Sequence, residues 1–288
     1  MKKLMFGMAA ALALCGMADI ESSNTVGYQT KELEAGKFAI VGIQFEGTDG
    51  STDINKLVGG LTGVSYAEFG ADFTAVAPHI QVPNAKGTYD LYYYLTDGFY
   101  IDEDDNEAEK PGWCDNNGTI AGNTAAGAAV TGELIPGVAI WAKMVQATEG
   151  MNQAGQVPSE NVTITAPATF ALRANSYPVE FNLNDTAAVE FAGLTPGSYA
   201  EQGADFVKYA PHIQVPNAKG TYDLYYYLSD GFYIDENGNE CEKPGWCDNN
   251  GTIAGNEAAG AAVSGIVPAG VGFWTKGVSG TFTMTFKK

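Results

Sequence analysis

The chain has 288 residues, of which 45% are hydrophobic, 11% are aromatic and 36 are glycines. This length suffices for two domains, and the glycine and aromatic content is typical of short strands joined by tight turns rather than of helical bundles or disordered chains. The formal net charge of −19, from 15 Lys and Arg against 34 Asp and Glu, argues against nucleic-acid binding, because phosphates are bound by clustered Lys and Arg.

Residues 1–18 predict a secretory signal peptide. Two lysines precede the apolar run Leu4–Met17, which is too short to span a bilayer, and we expect cleavage after Ala18. The mature protein is therefore expected to be secreted, to the periplasm, the cell surface or the extracellular medium, without a transmembrane segment. Lipid attachment at Cys15, within a lipobox-like Leu-Ala-Leu-Cys, is the alternative.

The rest of the chain contains an internal duplication. A shift of 133 residues aligns Ser65–Gly132 with Ser198–Gly265, and 58 of the 68 paired positions are identical. A unit of about 130 residues is large enough to form a domain. We predict copy 1 over residues 19–148, a polar linker over 149–160 and copy 2 over 161–288, and we expect each copy to fold without the other. Recent copying and a surface required of both copies each explain the high identity.

The first elements of the repeat are predicted from hydrophobic periodicity. Lys37–Phe45 predicts a strand, and Ile54–Val58 a short helical turn. Thr88–Leu95 and Phe99–Ile101 predict a β-hairpin with a tight turn at Asp97-Gly98, and copy 2 repeats it. Alternation along the first of these strands predicts a core-facing set: Tyr89, Leu91, Tyr93 and Leu95.

Two later elements complete the repeat. Asn116–Gly118 predicts a tight turn, and Val138–Trp141 predicts a late strand. Together these elements predict an all-β protein made of two tandem duplicated, mainly antiparallel β domains, each of them a sandwich or an open barrel.

The edges of the repeat carry a resemblance. Asn24–Thr30 with Ala35–Phe38, and Gly272–Lys276 before the final Thr-Phe-Thr-Met-Thr strand, resemble patterns in uncharacterised secreted β-rich bacterial proteins. The resemblance implies an exported β-rich protein and brings no activity or binding residue with it.

Oxygen-bearing side chains alternate in the loop that follows each hairpin. They are Asp102, Asp104 and Asn106 in copy 1, and Asp235, Asn237 and Asn239 in copy 2. This pattern suits a hard cation, and calcium is the candidate metal. The EF-hand pattern does not fit, because Trp113 and Trp246 fall where a bidentate carboxylate is required. A solvated acidic loop without metal is the alternative.

Aromatic residues of the hairpin strands form the candidate ligand site. They are Tyr92, Tyr94 and Trp113, repeated as Tyr225, Tyr227 and Trp246. One hypothesis is a platform on which sugar rings stack, and the other is ordinary packing within the sheet.

Three cysteines remain after removal of the signal peptide. An oxidising compartment permits a disulfide, and we predict one between Cys241 and Cys247, which flank a Pro-Gly pair. Cys114 has no such neighbour, because Ala108 replaces the first cysteine in copy 1. It is predicted to be a free thiol or a link to another molecule.

The sequence contains no nucleophile elbow, zinc-binding histidine pair or phosphate loop, and duplicated units favour avidity over catalysis. We therefore predict a secreted, non-enzymatic cell-surface or extracellular protein with a structural or adhesive role, and no cofactor beyond the calcium considered above. A carbohydrate-binding protein that uses aromatic platforms is the alternative. Its expected partners are glycans or other cell-surface components, and its oligomeric state is left open.

Overall fold

The computed structural model describes residues 25–123, 127, 132–256, 260 and 264–288. The predicted signal peptide and the Cys15 lipobox lie outside these residues. The described chain is mainly β, with several antiparallel sheets in two similar halves, and this confirms the predicted all-β class. None of the helices in this part of the chain has the length and apolar character that crossing a membrane requires.

The first half contains a three-stranded sheet and a five-stranded sheet. Its strands are β1 (Val26–Leu33), β2 (Phe38–Gly42), β3 (Val58–Gly59), β4 (His79–Pro83), β5 (Tyr89–Ile101), β6 (Glu107–Cys114), β7 (Ala139–Lys143) and β8 (Glu149–Gln156). The strand orders are β1-β8-β3 and β2-β7-β4-β5-β6. Two short α-helices, α1 (Ile54–Leu57) and α2 (Tyr66–Phe69), and a 3-10 helix (Gly70–Ala75) connect them.

The second half repeats this arrangement. Its strands are β9 (Val162–Ala166), β10 (Ala171–Ala174), β11 (Phe181–Asn182), β12 (Val189–Ala192), β13 (His212–Pro216), β14 (Tyr222–Ile234), β15 (Glu240–Cys247), β16 (Ile266–Val267), β17 (Gly272–Lys276) and β18 (Phe282–Phe286). The main sheets have the orders β12-β18-β9 and β10-β17-β13-β14-β15, and β11 pairs with β16. The helices are α3 (Tyr199–Gln202) and a 3-10 helix (Gly203–Lys208).

The two main sheets of each half pack face to face around a hydrophobic core. In the first half, Val41 and Ile80 of the five-stranded sheet belong to the same buried cluster as Leu33 and Met151 of the three-stranded sheet. The second half has an equivalent cluster. Each half is therefore a sandwich of two open sheets, and full burial of each such side chain contributes about 1.5–3 kcal/mol.

The structure corrects the predicted linker over 149–160. Glu149–Gln156 is β8, the central strand of the first three-stranded sheet, and it pairs with β1 along its whole length. Its alternate residues Met151, Gln153 and Gly155 are buried. The polar, glycine-containing composition concealed this strand because only one of its three inward residues is hydrophobic. That each copy folds alone stays a prediction.

The predicted hairpin turn at Asp97-Gly98 is wrong. β5 continues through it, with a bulge between Leu95 and Gly98. The bulge lies opposite Pro111 of β6, which has no N–H to donate to the ladder. The chain reverses at Asp102 instead, whose N–H donates to the carbonyl of Asn106 at 3.0 Å. In contrast, the turn predicted at Asn116–Gly118 is confirmed.

The predicted inward face of β5 is also wrong in part. Tyr89 and Leu91 are 40% and 36% exposed, whereas Tyr92 lies in the core between the sheets. Tyr93 and Leu95 are buried, but they belong to a separate cluster with Phe73 of the 3-10 helix. β5 therefore has buried apolar side chains on both faces. The core between the sheets covers Tyr92 on one face, and the cluster with Phe73 covers Tyr93 and Leu95 on the other.

The two halves contact each other through β2 and β7 of the first and β10 and β17 of the second. Ile40, Ala139, Leu172 and Ala174 form one buried cluster across this junction. The backbone contacts form matching pairs: the Gly42 N–H donates to the Gly270 carbonyl at 3.0 Å, and the Ala174 N–H to the Gly137 carbonyl at 2.8 Å. The halves are therefore related by an approximate two-fold axis.

Candidate functional site

A line of aromatic side chains crosses the outer faces of both five-stranded sheets. Because side chains alternate along a strand, Phe38 of β2, Trp141 of β7, His79 of β4 and Tyr93 of β5 point away from the core. The pairing register places them side by side, with Lys143 opposite both Phe38 and His79. The second half places Phe170, Trp274, His212 and Tyr226 in the same way.

The rings follow one another without interruption across the junction. The distances between ring centroids are 5.8 Å for Tyr93–His79, 5.6 Å for His79–Phe38, 6.0 Å for Phe38–Trp141, 6.1 Å for Trp141–Trp274, 6.0 Å for Trp274–Phe170, 5.3 Å for Phe170–His212 and 5.6 Å for His212–Tyr226. We call these eight side chains the aromatic row. All seven pairs are edge-to-face or tilted, which are favourable ring geometries.

The middle of the aromatic row is open to solvent and its two ends are not. Phe38 and Phe170 are 46% and 48% exposed, and Trp141 and Trp274 are half-buried. Tyr93 and Tyr226, at the ends, are buried. The accessible surface therefore consists mainly of the four central rings, with His79 half-buried beside them.

Polar groups border the four central rings. Lys143 Nζ lies 5.1 Å from the Phe38 ring centroid, and Lys276 Nζ lies 5.1 Å from that of Phe170, within range of cation–π attraction. Gln81 and Gln214 pair with Trp141 and Trp274 across neighbouring strands. Amide and ammonium groups thus stand beside apolar rings, as in sites where a few polar groups orient a ligand.

The two histidines of the aromatic row have lowered pKa values, which favours the neutral imidazole at pH 7. Burial lowers the pKa of His79 and of His212, and the charges of Lys143 and Lys276 lower it further. Hydrogen bonds to the carbonyls of Ala77 and Ala210 act in the opposite direction without overcoming burial. The imidazoles therefore serve as aromatic neighbours of the phenylalanines rather than as charged groups.

A groove of about 620 Å³ opens beside Phe38 and Trp141 at the junction of the halves. Its opposite wall is the turn between β13 and β14 of the second half, including Asn217 and Tyr222. The Asn217 Oδ1 accepts hydrogen bonds from the N–H groups of Lys219 and Thr221, both at 3.1 Å, so this wall is held in a fixed turn. A second, smaller recess of about 230 Å³ is lined by Phe170, Gln214 and Trp274.

The six aromatic residues predicted to stack on sugars do not form this surface. Tyr92, Trp113, Tyr225 and Trp246 are at most 1% exposed, and Tyr94 and Tyr227 pack against the cores. A sugar needs an uncovered ring face, so the platform predicted from these residues is wrong and the packing alternative describes them.

The oxygen-rich loops are organised by their own hydrogen bonds. Asp102 Oδ1 accepts from the N–H groups of Asp104 and Asn106 at 2.9 and 2.8 Å, and Asp235 accepts equivalent bonds from Asn237 and Asn239. These backbone hydrogen bonds lower the pKa of both aspartates. Over the described residues, no three His, Cys, Asp or Glu side chains are grouped to hold a metal ion; the calcium site, which includes asparagines, stays a prediction.

The predicted disulfide is wrong. Cys241 and Cys247 lie on the single extended strand β15, where six residue steps separate them by about 20 Å, far beyond the reach of a disulfide. The Pro-Gly pair between them stays within the strand instead of making a turn. Cys114 is buried, and burial raises the pKa of its thiol to about 12. Cys114 forms no disulfide within the described chain, and its burial argues against the predicted link to another molecule.

Comparison of the chain with protein-family models, curated protein sequences and solved structures finds no match. Sequence reasoning missed the four central rings, although one signal points to the two tryptophans and a one-residue offset explains why the two phenylalanines were not paired. The strands Ile140-Trp141-Ala142-Lys143 and Phe273-Trp274-Thr275-Lys276 both alternate tryptophan and lysine on one face. Phe38 and Phe170 are separated by 132 residues rather than 133, so an ungapped comparison of the copies does not align them.

Proposed function

We propose that this chain is a secreted, non-catalytic adhesive protein that binds carbohydrate with the four central rings of the aromatic row. The proposal rests on one observation, the continuous exposed aromatic surface that both halves build together across their junction. The C–H faces of a sugar ring are apolar while its rim carries hydroxyl groups. Tryptophan and phenylalanine rings can stack on the apolar faces of the sugar, and neighbouring amide and ammonium groups can form hydrogen bonds with its hydroxyl groups.

The shape of the surface favours a polymer over a single sugar. Four rings with neighbouring centroids about 6 Å apart and planes tilted by 60–82° give an extended aromatic surface with several contact positions, whereas the recess beside Phe170 and Trp274 is shallow and formed by few residues. Several weak contacts to one chain add up when they are presented together. Adhesion to a polysaccharide needs this type of binding.

The test is titration with a panel of soluble polysaccharide fragments, followed by tryptophan fluorescence. The chain has four tryptophans, and because Trp113 and Trp246 are buried, a ligand-dependent change reports mainly on Trp141 and Trp274. We expect the double variant Trp141→Ala/Trp274→Ala to weaken binding about tenfold or more, the effect of losing central aromatic anchors. Calorimetry measures binding by the variant.

The matched control is Tyr28→Ala, which removes an aromatic ring that is 66% exposed on β1 and lies outside the aromatic row. It should bind as tightly as the unmodified protein. The proposal is overturned if no fragment of the panel binds, or if the double variant binds unchanged. It is also overturned if the double variant only changes the molecular mass in solution, because the rings would then serve self-association.

A further inference from the structure

We infer that the groove beside Phe38 and Trp141 selects acidic saccharides, those that carry uronic acid carboxylates. This inference rests on the proposed function and specifies its ligand class. It starts from the charge of the groove lining, which contains three lysines and a single carboxylate. These residues are Lys31, Lys37, Lys219 and Glu34.

The lining charge is opposite to that of the whole molecule. The chain has a formal net charge of −19, so an anionic polymer is repelled from most of its surface. The groove collects three ammonium groups from two different halves, Lys31 and Lys37 from the first and Lys219 from the second. Glu34 pairs with Lys37, which leaves Lys31 and Lys219 without a carboxylate among the lining residues.

The second half does not reproduce this charge. In the β-pairing, Lys31 stands opposite Met151, and the residue opposite the equivalent Met284 is Ile164. The residue before Phe38 is Lys37, and the residue before Phe170 is Thr169. The aromatic rings are therefore duplicated, whereas the lysines of the first half are specific to the groove.

Rings and lysines together match an acidic sugar. A uronic acid presents an apolar ring face to Phe38 and Trp141 and a carboxylate that a lysine binds through a charge-assisted hydrogen bond. A neutral sugar can make the same stacking and hydroxyl contacts but offers no carboxylate to Lys31 or Lys219. Because exposed charges are screened beyond about 8 Å at physiological ionic strength, the preference for the acidic ligand should decrease as salt is added.

The experiment compares oligogalacturonate with the same oligosaccharide after reduction of its carboxyl groups, using the full chain and calorimetry. We expect the acidic form to bind at least about fivefold more tightly at low salt, and Lys219→Gln to weaken the acidic form by about two- to fivefold without changing the neutral form. Glu34→Gln should have the opposite effect and strengthen binding of the acidic form.

The chain supplies a matched control in Lys86→Gln, the duplicate of Lys219 in the turn between β4 and β5, which is not part of the groove lining. It should leave both affinities unchanged. Equal binding of both oligosaccharides, or equal effects of Lys219→Gln and Lys86→Gln, overturns acidic selectivity while leaving carbohydrate binding in place. Failure of both oligosaccharides and of the wider polysaccharide panel overturns the proposed function itself.

Discussion

The two halves share the hydrogen bonds that cap their short helices and differ in the residues that line the junction groove. In each half an aspartate, Asp97 or Asp230, caps the short helix with the same three hydrogen bonds. At the groove, by contrast, Lys37 of the first half is matched by Thr169. The duplication thus provides two copies of one framework, and under the proposed function the residues that differ around it set the ligand preference of each copy.

One set of hydrogen bonds occurs in both halves, although the asparagine that makes it lies at a different position of the repeat. Asn55 Oδ1 accepts from the Trp113 N–H at 2.6 Å and its Nδ2 donates to the Ala121 carbonyl at 3.2 Å. Asn184 makes the corresponding bonds in the second half, at 2.8 and 3.1 Å, although it lies 129 residues later rather than 133. In both halves this side-chain amide joins the second strand of the hairpin to the loop that follows it. The asparagine itself comes from the part of the repeat in which the two copies differ.

The largest loss of stability is expected from Asp97→Ala and Asp230→Ala, which test whether the helix caps of the two halves contribute equally. Each removes a carboxylate that accepts hydrogen bonds from one hydroxyl and two N–H groups at 2.6–2.9 Å. Burial alone would raise the pKa of these aspartates, but the hydrogen bonds outweigh it and lower the pKa. We expect each variant to lose about 2–3 kcal/mol of unfolding free energy.

Chemical denaturation followed by circular dichroism measures these losses. Asp72→Ala, at an exposed aspartate of the neighbouring 3-10 helix, is the control and should change stability by less than about 0.5 kcal/mol. Clearly unequal losses for Asp97→Ala and Asp230→Ala would show that the two halves do not depend on this cap to the same degree.

A smaller effect, and an unequal one, is expected from the buried tryptophans. Trp113 Nε1 donates to the Val58 carbonyl at 2.9 Å, whereas Trp246 Nε1 has no partner among the described residues and its ring lies 5.0 Å from that of Phe191. Both substitutions to phenylalanine remove the same volume. Trp113→Phe also removes a buried hydrogen bond to the Val58 carbonyl, so it should cost about 1–2 kcal/mol more than Trp246→Phe.

Denaturation midpoints of the two variants, measured in parallel, give this difference directly. Equal midpoints, or a greater loss in Trp246→Phe, would contradict the asymmetry between the halves.

Much of the framework was predictable from local sequence. The duplication, α1, the strand at Phe38–Gly42 and the Asn-Asn-Gly turn follow from periodicity and turn chemistry. The aromatic row was not predictable in this way. Whether Tyr92 or Leu91 is covered depends on which strands and helices pack on each face of β5, and these come from distant parts of the chain.

Two local signals were also misleading. Pro244-Gly245 predicts a turn by composition, yet it lies inside β15 opposite the bulge of β14. Because the strand stays extended there, Cys241 and Cys247 are too far apart for the predicted disulfide. The composition of 149–160 indicated a linker although β8 lies within it, because its partner β1 is more than 100 residues earlier in the chain. Non-local strand pairing decided both outcomes.

The smallest effect is expected from the histidines of the aromatic row, and it concerns pH. Burial lowers the pKa of His79 and His212 below the ordinary value of 6.5. As pH falls below 6.5, the unfolded chain takes up protons before the folded chain does, so unfolding becomes more favourable. The stabilisation from the neutral imidazoles is therefore complete above about pH 6.5 and is lost as the pH falls through the folded pKa.

The double variant His79→Gln/His212→Gln should show a flatter dependence of melting temperature between about pH 7 and 5. The aspartates with lowered pKa, Asp97 and Asp230, act in a separate window below their ordinary 3.8. A slope between pH 7 and 5 that is the same in the variant and the unmodified protein would show that the two imidazoles are as readily charged in the folded protein as in the unfolded chain.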